Sequence, residues 1–299
     1  FVLMSESLKG VLTTMSAFLL WGVVAVFWKL LSHVPSITVM SHRVIWSLVF
    51  VSIILFTQSR WKEVKLAFSS KRNLLTMMLT AVLIGTNWLV FIWAVNNNHL
   101  VEASLGYFIN PLVNMLLGMV LLKERLGRWQ FLSIGLALVG VVMLTIQSDR
   151  LPWIALILAF SFAFYGLLRK TGKVNSLPGL TGELIVLMPF ACLYLLMKGG
   201  GPGELFGGND LPGILLLMCG GVVTAIPLLL FAHGARRIQY ITVGFLQYLA
   251  PSGQLLIGIC VYHEPFTSLH IMSFGFIWAA LLVYSISAVS QFRRQKIKL

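Results

Sequence analysis

The chain alternates long apolar runs with short, mostly polar joints, and it does so ten times. The runs fall at about 8–31, 37–57, 73–95, 101–122, 129–147, 152–170, 179–197, 211–234, 240–261 and 269–291. Each is close to the ~20 residues that a helix needs to cross the hydrocarbon core of a bilayer. The pattern therefore predicts ten membrane-spanning helices with short connections. The first run, Leu8 to Leu31, is followed by no small-residue cleavage site, so it is expected to be a span and not a cleaved leader.

Composition agrees with a lipid solvent. Of 299 residues, 58% are hydrophobic and 10% charged, and the mean hydropathy is +0.91. A soluble domain carries roughly 25% charged residues. Three cysteines (Cys192, Cys219 and Cys260) lie inside apolar runs without CxxC spacing and read as small buried hydrophobes.

The net charge of +13 would point to nucleic acid in a soluble protein. Its placement gives it another meaning. With the amino terminus in the cytoplasm, the cytoplasmic side receives Lys9, five cations between Arg60 and Arg72, and three between Lys123 and Arg128. It also receives Arg169, Lys170 and Lys173, then Arg236 and Arg237, then four cations from Arg293 to Lys298. The outer loops receive only Arg150 and Lys198. By the positive-inside rule, both termini are expected in the cytoplasm of a bacterial inner-membrane protein. A nucleic-acid partner becomes unnecessary. Contact with anionic inner-leaflet lipid is an expected by-product.

The chain also repeats itself. Residues 103–126 match residues 243–266 at a constant offset of 140: Pro111 meets Pro251, Gly118 meets Gly258 and Glu124 meets Glu264. Trp21-Gly22 is echoed by Tyr165-Gly166. Five spans per copy is an odd number, so the second copy enters from the opposite side. The loops agree, since Lys123-Glu124-Arg125 is basic while His263-Glu264-Pro265 lacks Lys and Arg. The expected fold class is an all-α polytopic membrane protein of ten transmembrane helices in two inverted five-helix repeats, 1–147 and 148–299. Inverted repeats are a signature of secondary transporters.

The runs HRVIWS (42–47), NWLVFIWAVNN (87–97), EASLGYFINPLVN (102–114) and AFSFAFYGLLRK (159–170) closely resemble the RarD branch of the EamA-type drug/metabolite transporters. The resemblance spans essentially the whole chain. It implies a ten-helix inner-membrane transporter with a basket-like cavity between two halves. RarD members are associated with chloramphenicol sensitivity or resistance, and relatives export amino acids and other metabolites. The resemblance carries over no fixed set of catalytic residues.

Paired helix interruptions in two repeats point to a transporter's central site. Pro111 and Pro251 occupy matching positions, and Gly85-Thr86-Asn87 in the third segment corresponds to Ala225-Ile226-Pro227 in the eighth. Each proline removes a backbone hydrogen bond and is expected to bend its helix. In the fourth segment Ser104, Tyr107, Asn110, Pro111, Asn114 and Gly118 share one helical stripe. Gln247, Pro251, Gln254 and Gly258, with Tyr248 beside them, are the ninth segment's equivalents. Amides in hydrocarbon should face the bundle interior. There they either line a cavity for a polar ligand or bond helix to helix. Trp21, Tyr165, Asn87 and Trp88 are further cavity candidates, since ligand pockets are mostly apolar and aromatic.

Four charges lie within the spans. Lys29, Arg43 and Glu102 share an outer level, and an ion-pair cluster is expected there; Glu183 lies near an inner end, level with Arg169 and Lys170. At the offset of 140, Arg43 corresponds to Glu183. The pair reads as gates or as charges that a coupling proton titrates, or alternatively as structural ion pairing. No acid sits at the midplane, which argues against a proton relay. The six histidines match no metal motif, and no nucleotide-binding GxxxxGK[ST] occurs, so neither a metal nor a cofactor is expected.

The leading expectation is a secondary transporter, an exporter of a small amino-acid-like or amphenicol-like molecule. Its partners would be that solute, membrane lipid and a candidate coupling proton. A lipid-modifying membrane enzyme would need a cluster of acids, histidines or a nucleophile at one face, which the chain lacks. A receptor or scaffold would place its function in the loops.

Overall fold

Twelve helices run through residues 5–97, 99–146, 152–198, 211–263 and 268–297, which the computed structural model describes. The first repeat holds α1 (Glu6–Leu30), α2 (Ser36–Thr57), α3 (Trp61–Ser69), α4 (Lys71–Asn96), α5 (Leu100–Val120) and α6 (Arg128–Thr145). The second holds α7 (Trp153–Thr171), α8 (Ser176–Lys198), α9 (Leu211–Ala235), α10 (Tyr240–Gln247), α11 (Leu249–Tyr262) and α12 (Ser268–Ile297). Ten helical stretches are long and apolar enough to cross a membrane, with α10 and α11 together forming the ninth. Arg150, Glu264 and Lys298, which entered the charge and repeat arguments, lie outside the described residues.

Local chemistry explains the helix boundaries. Ser5 caps α1, its hydroxyl accepting from the Leu8 amide at 3.2 Å, and Ser70 does the same for Asn73 at 3.4 Å. Such side chains satisfy amides that the first helical turn leaves without partners. The ninth span is broken for another reason. Pro251 has no N–H, and a proline ring collides with the carbonyl four residues earlier, here Gln247. The helix divides there, and the Tyr248 amide turns tightly onto the Phe245 carbonyl at 3.2 Å. Its repeat partner behaves differently, because α5 continues unbroken through Pro111.

The segment 61–69, which reads from sequence as loop, is the short helix α3. It is amphipathic: Val64 and Ala67 are buried, while Lys62 and Lys65 face out. It packs against α8 and α4.

The main packing pairs interleave the halves. With the spans numbered from 1 to 10, they are 1–8 with 3–6, 2–8 with 3–7, 1–9 with 4–6, and the pairs 2–7, 4–9 and 5–10. Exchanging every span with the one five places away returns the same set. Ten crossings put both chain termini at one end of the bundle. At that end α10 packs on α5, where Gly244 lies so close that a Cβ would sit 2.7 Å from the Pro111 carbonyl. Beyond the break, α11 packs on α1 instead, at the Gly22–Gly253 contact. The ninth span thus parts from α5 toward the end opposite the termini.

Candidate functional site

Arg43 lies seven residues into α2 from the end opposite the termini, a depth of roughly 10 Å along the helix. Its surroundings come from both repeats. Its guanidinium carbon lies 4.4 Å from the Trp28 ring centroid on α1 and 4.7 Å from that of Trp88 on α4. The Nε donates to the Thr224 hydroxyl on α9 at 3.0 Å. Tyr107 on α5 is within electrostatic reach, and its ring meets Phe91 edge-on at 5.9 Å. Five spans therefore converge on one cation. The close approach of α9 to α2 has a local cause: a Cβ on Gly221 would overlap the Trp46 backbone, and the Ser47 hydroxyl donates to the Gly221 carbonyl at 3.0 Å. One turn later, Thr224 reaches Arg43.

No carboxylate pairs with Arg43 among the described residues. Its two Nη groups make no protein hydrogen bond there. The Tyr107 hydroxyl is in the same condition. Spare hydrogen-bonding capacity therefore gathers between aromatic walls.

The repeat-related position is built in the opposite way. Glu183 on α8 is buried, accepts from the Tyr165 hydroxyl at 3.2 Å, and pairs with Arg169 Nη1 at 3.6 Å. The Thr80 hydroxyl of α4 adjoins it. Arg169 itself donates to the Ser176 carbonyl at 2.8 Å and fills space that any Cβ on Gly179 would occupy. Lys170 is committed to the Ala235 and Ile238 carbonyls. Nearby, Trp21, Phe18, Phe162, Tyr165 and Phe231 form an aromatic cluster joining α1, α7 and α9.

Three predicted amides meet in the buried interior. Gln247 Nε2 donates to Asn110 Oδ1 at 2.5 Å, Asn114 Nδ2 donates to Gln247 Oε1 at 2.5 Å, and Asn110 Nδ2 donates to the Ala159 carbonyl at 2.6 Å. In this conformation they tie spans 4, 6 and 9 together. Asn87 donates to the Leu158 carbonyl at 2.9 Å and to the Ser161 hydroxyl at 3.0 Å. Gln254 donates to the Trp21 carbonyl at 3.2 Å. Tyr248 is fully buried, and Ser104 is exposed. Pro227 sits buried in α9, one turn after Thr224.

The expected outer ion-pair cluster does not form. Lys29 Nζ lies 3.3 Å from the Tyr262 ring centroid. Glu102 accepts from the Ile154 amide at 2.9 Å, with His99 at 3.8 Å. The free amides and positive dipole end of α7 attract that carboxylate away from Arg43. Glu124, noticed in the sequence only as a repeat marker, does the same for α10 by accepting from the Tyr240 and Ile241 amides at 2.6 and 2.9 Å.

Trp28 and Thr224 escape the sequence reading because they lie in long apolar runs. A signal did exist for Thr224, the single hydroxyl residue of the eighth run.

Comparison with known proteins agrees with this architecture. The EamA-like transporter family matches residues 8–146. The chain is 46% identical to "Uncharacterized transporter YojE" of Bacillus subtilis over 98% of both chains. It is 43% identical to "Protein RarD" of Salmonella typhimurium, covering 97% of this chain and 99% of that one. A solved crystal structure superposes with a TM-score of 0.74 at 16% identity, covering 93% of this chain and 98% of that one, a likeness of fold.

Proposed function

Because the chain belongs to the EamA-like transporter family, in its RarD branch, we propose that it carries a small molecule between its two repeats by alternating access. It is a multi-pass membrane transporter. On our reading the moving units are the repeats 1–147 and 148–299. The cargo has the size and mixed polarity of an amino acid or an amphenicol, and it leaves the cell across the bacterial inner membrane. Both termini face the cytoplasm, in keeping with the basic loops at their end.

One observation carries this reading: the ninth span packs on α5 at the termini end and parts from it at the other. The same asymmetry appears in the side chains. The Glu183–Arg169 pair, the Glu124 cap and the aromatic cluster close the termini end. Arg43, Tyr107 and Ser104 lie toward the opposite end and carry polar groups without a hydrogen bond among the described residues. On our reading this asymmetry belongs to an outward-facing state. Rocking about the Tyr248 break, with Pro111 and Pro227 as further flexible points, would expose the site to the other side. The cavity wall would then comprise Trp21, Asn87, Trp88, Ser104, Tyr107, Tyr165, Gln254 and the three central amides.

The test is flux in proteoliposomes. Purified protein is reconstituted and assayed for movement of labelled amino acids, chloramphenicol and organic acids of similar size, with and without a proton gradient. Movement of a solute that Tyr107→Ala abolishes while the melting temperature holds supports the reading. A well-folded protein that moves none of them overturns it.

A further inference from the structure

Resting on the transport reading, we propose that the cargo binds as an organic monoanion, its carboxylate held by the two Nη groups of Arg43. An arginine is charged at every physiological pH. A cation inside a membrane bundle without a counter-charge is costly and is a functional site by default. Arg43 is such a cation, with one neutral hydrogen bond to Thr224 and no acid against it among the described residues. The acid on the neighbouring helix, Glu102, is committed to α7.

The bonding pattern also selects the shape of the anion. Thr224 occupies Nε, which leaves the end-on edge of the guanidinium, Nη1 beside Nη2. A carboxylate matches that edge with two parallel bonds. A single positive charge balances one negative charge, so a dianion would leave excess charge in the bundle.

The same geometry disfavours a zwitterion. An α-ammonium beside that carboxylate would lie close to the guanidinium and would need an acid to offset the like-charge repulsion. Among the described residues no acid lies against Arg43. The Tyr107 hydroxyl can donate to the same carboxylate, and Phe91 beside it offers an apolar wall for the organic tail. The cargo class is therefore an aromatic or aliphatic monocarboxylate without an α-ammonium group.

The experiment uses the full chain in nanodiscs and a panel of aliphatic, phenyl and indolyl monocarboxylates. Each is paired with its uncharged amide and, where one exists, its α-amino acid. Thermal shift and quenching of tryptophan fluorescence are the readouts. We expect at least one acid to bind about tenfold or more tightly than its amide and its amino acid. Arg43→Gln should erase that preference. A panel in which no acid outperforms its amide overturns the proposal, as does a preference that survives R43Q. The wild-type comparison decides the matter even where R43Q fails to fold. Flux separates this inference from its premise. Neutral or zwitterionic solutes carried equally by wild type and R43Q would leave the transporter standing and remove the monoanion. Acids that bind through Arg43 while nothing crosses would do the reverse.

Discussion

Arg43 and Glu183 occupy the same position in the two repeats, yet they are surrounded in opposite ways. Glu183 is buried, paired with Arg169 and bonded by Tyr165. Arg43 lies between two indoles and, among the described residues, is bonded once, to a neutral hydroxyl. Where the protein supplies its own counter-charge, the pair is buried. Where it does not, the guanidinium edge remains available. Symmetry of position therefore does not bring symmetry of role, and the difference can be tested by removing each partner in turn.

The largest effect should come from the closed end. Arg169→Met strands the Glu183 carboxylate in the core and should cost about 3–5 kcal/mol, read as unfolding in detergent. The double variant R169M/E183L should recover most of that loss. A single variant that melts like wild type would show that the pair does not hold this end. Gln247→Leu comes next. It removes the partner of both asparagines and should cost about 1–3 kcal/mol, and the further changes N110L and N114L should reduce that cost.

Arg43→Met should be milder. It loses cation–π contact and one hydrogen bond, about 1 kcal/mol, while flux falls to background. A melt as damaged as that of R169M would erase the contrast between the two sites.

The smallest effect is at the membrane surface. On α3 the Arg60 guanidinium holds the Glu63 carboxyl below the usual carboxylate range through hydrogen bonds of 2.6 and 2.9 Å. A depressed folded pKa gives stability that is present above the unfolded value, ~4.3 for glutamate, and is lost as pH falls through the folded one. Half-exposed pairs contribute about 0.2–1 kcal/mol. Glu63→Gln should therefore lower the melt slightly at pH 7, and the gap should narrow in acid. A gap that widens in acid would assign the pair another role.

Much of this architecture is legible in the sequence. The ten spans follow from hydropathy because lipid forces each to satisfy its own backbone, and the repeat follows from Pro111 and Pro251. What was missed has physical causes. Helix α3 is too short and too charged to register as a span, although Trp61, Val64, Ala67 and Phe68 recur at helical spacing. An expectation of outer ion pairs rests on shared depth alone, and depth does not say which helix terminus will claim a carboxylate such as Glu102. The partners that define the Arg43 site are out of reach of local pattern. Thr224 is 181 residues away in the chain, and the Asn110–Gln247 bond spans 137.

The packing scheme that maps onto itself under exchange of the halves has a further meaning. Contacts such as 2–7, 4–9 and 5–10 join each element to its own counterpart. A lone half-length chain could make the same contacts with an oppositely inserted copy of itself. Such an ancestor would have been held to one residue at each position, since any change would appear twice. Two halves within one chain are free of that restriction. An arginine at 43 opposite a glutamate at 183 is a pairing that a single self-complementary half could not hold, but a chain carrying both halves can.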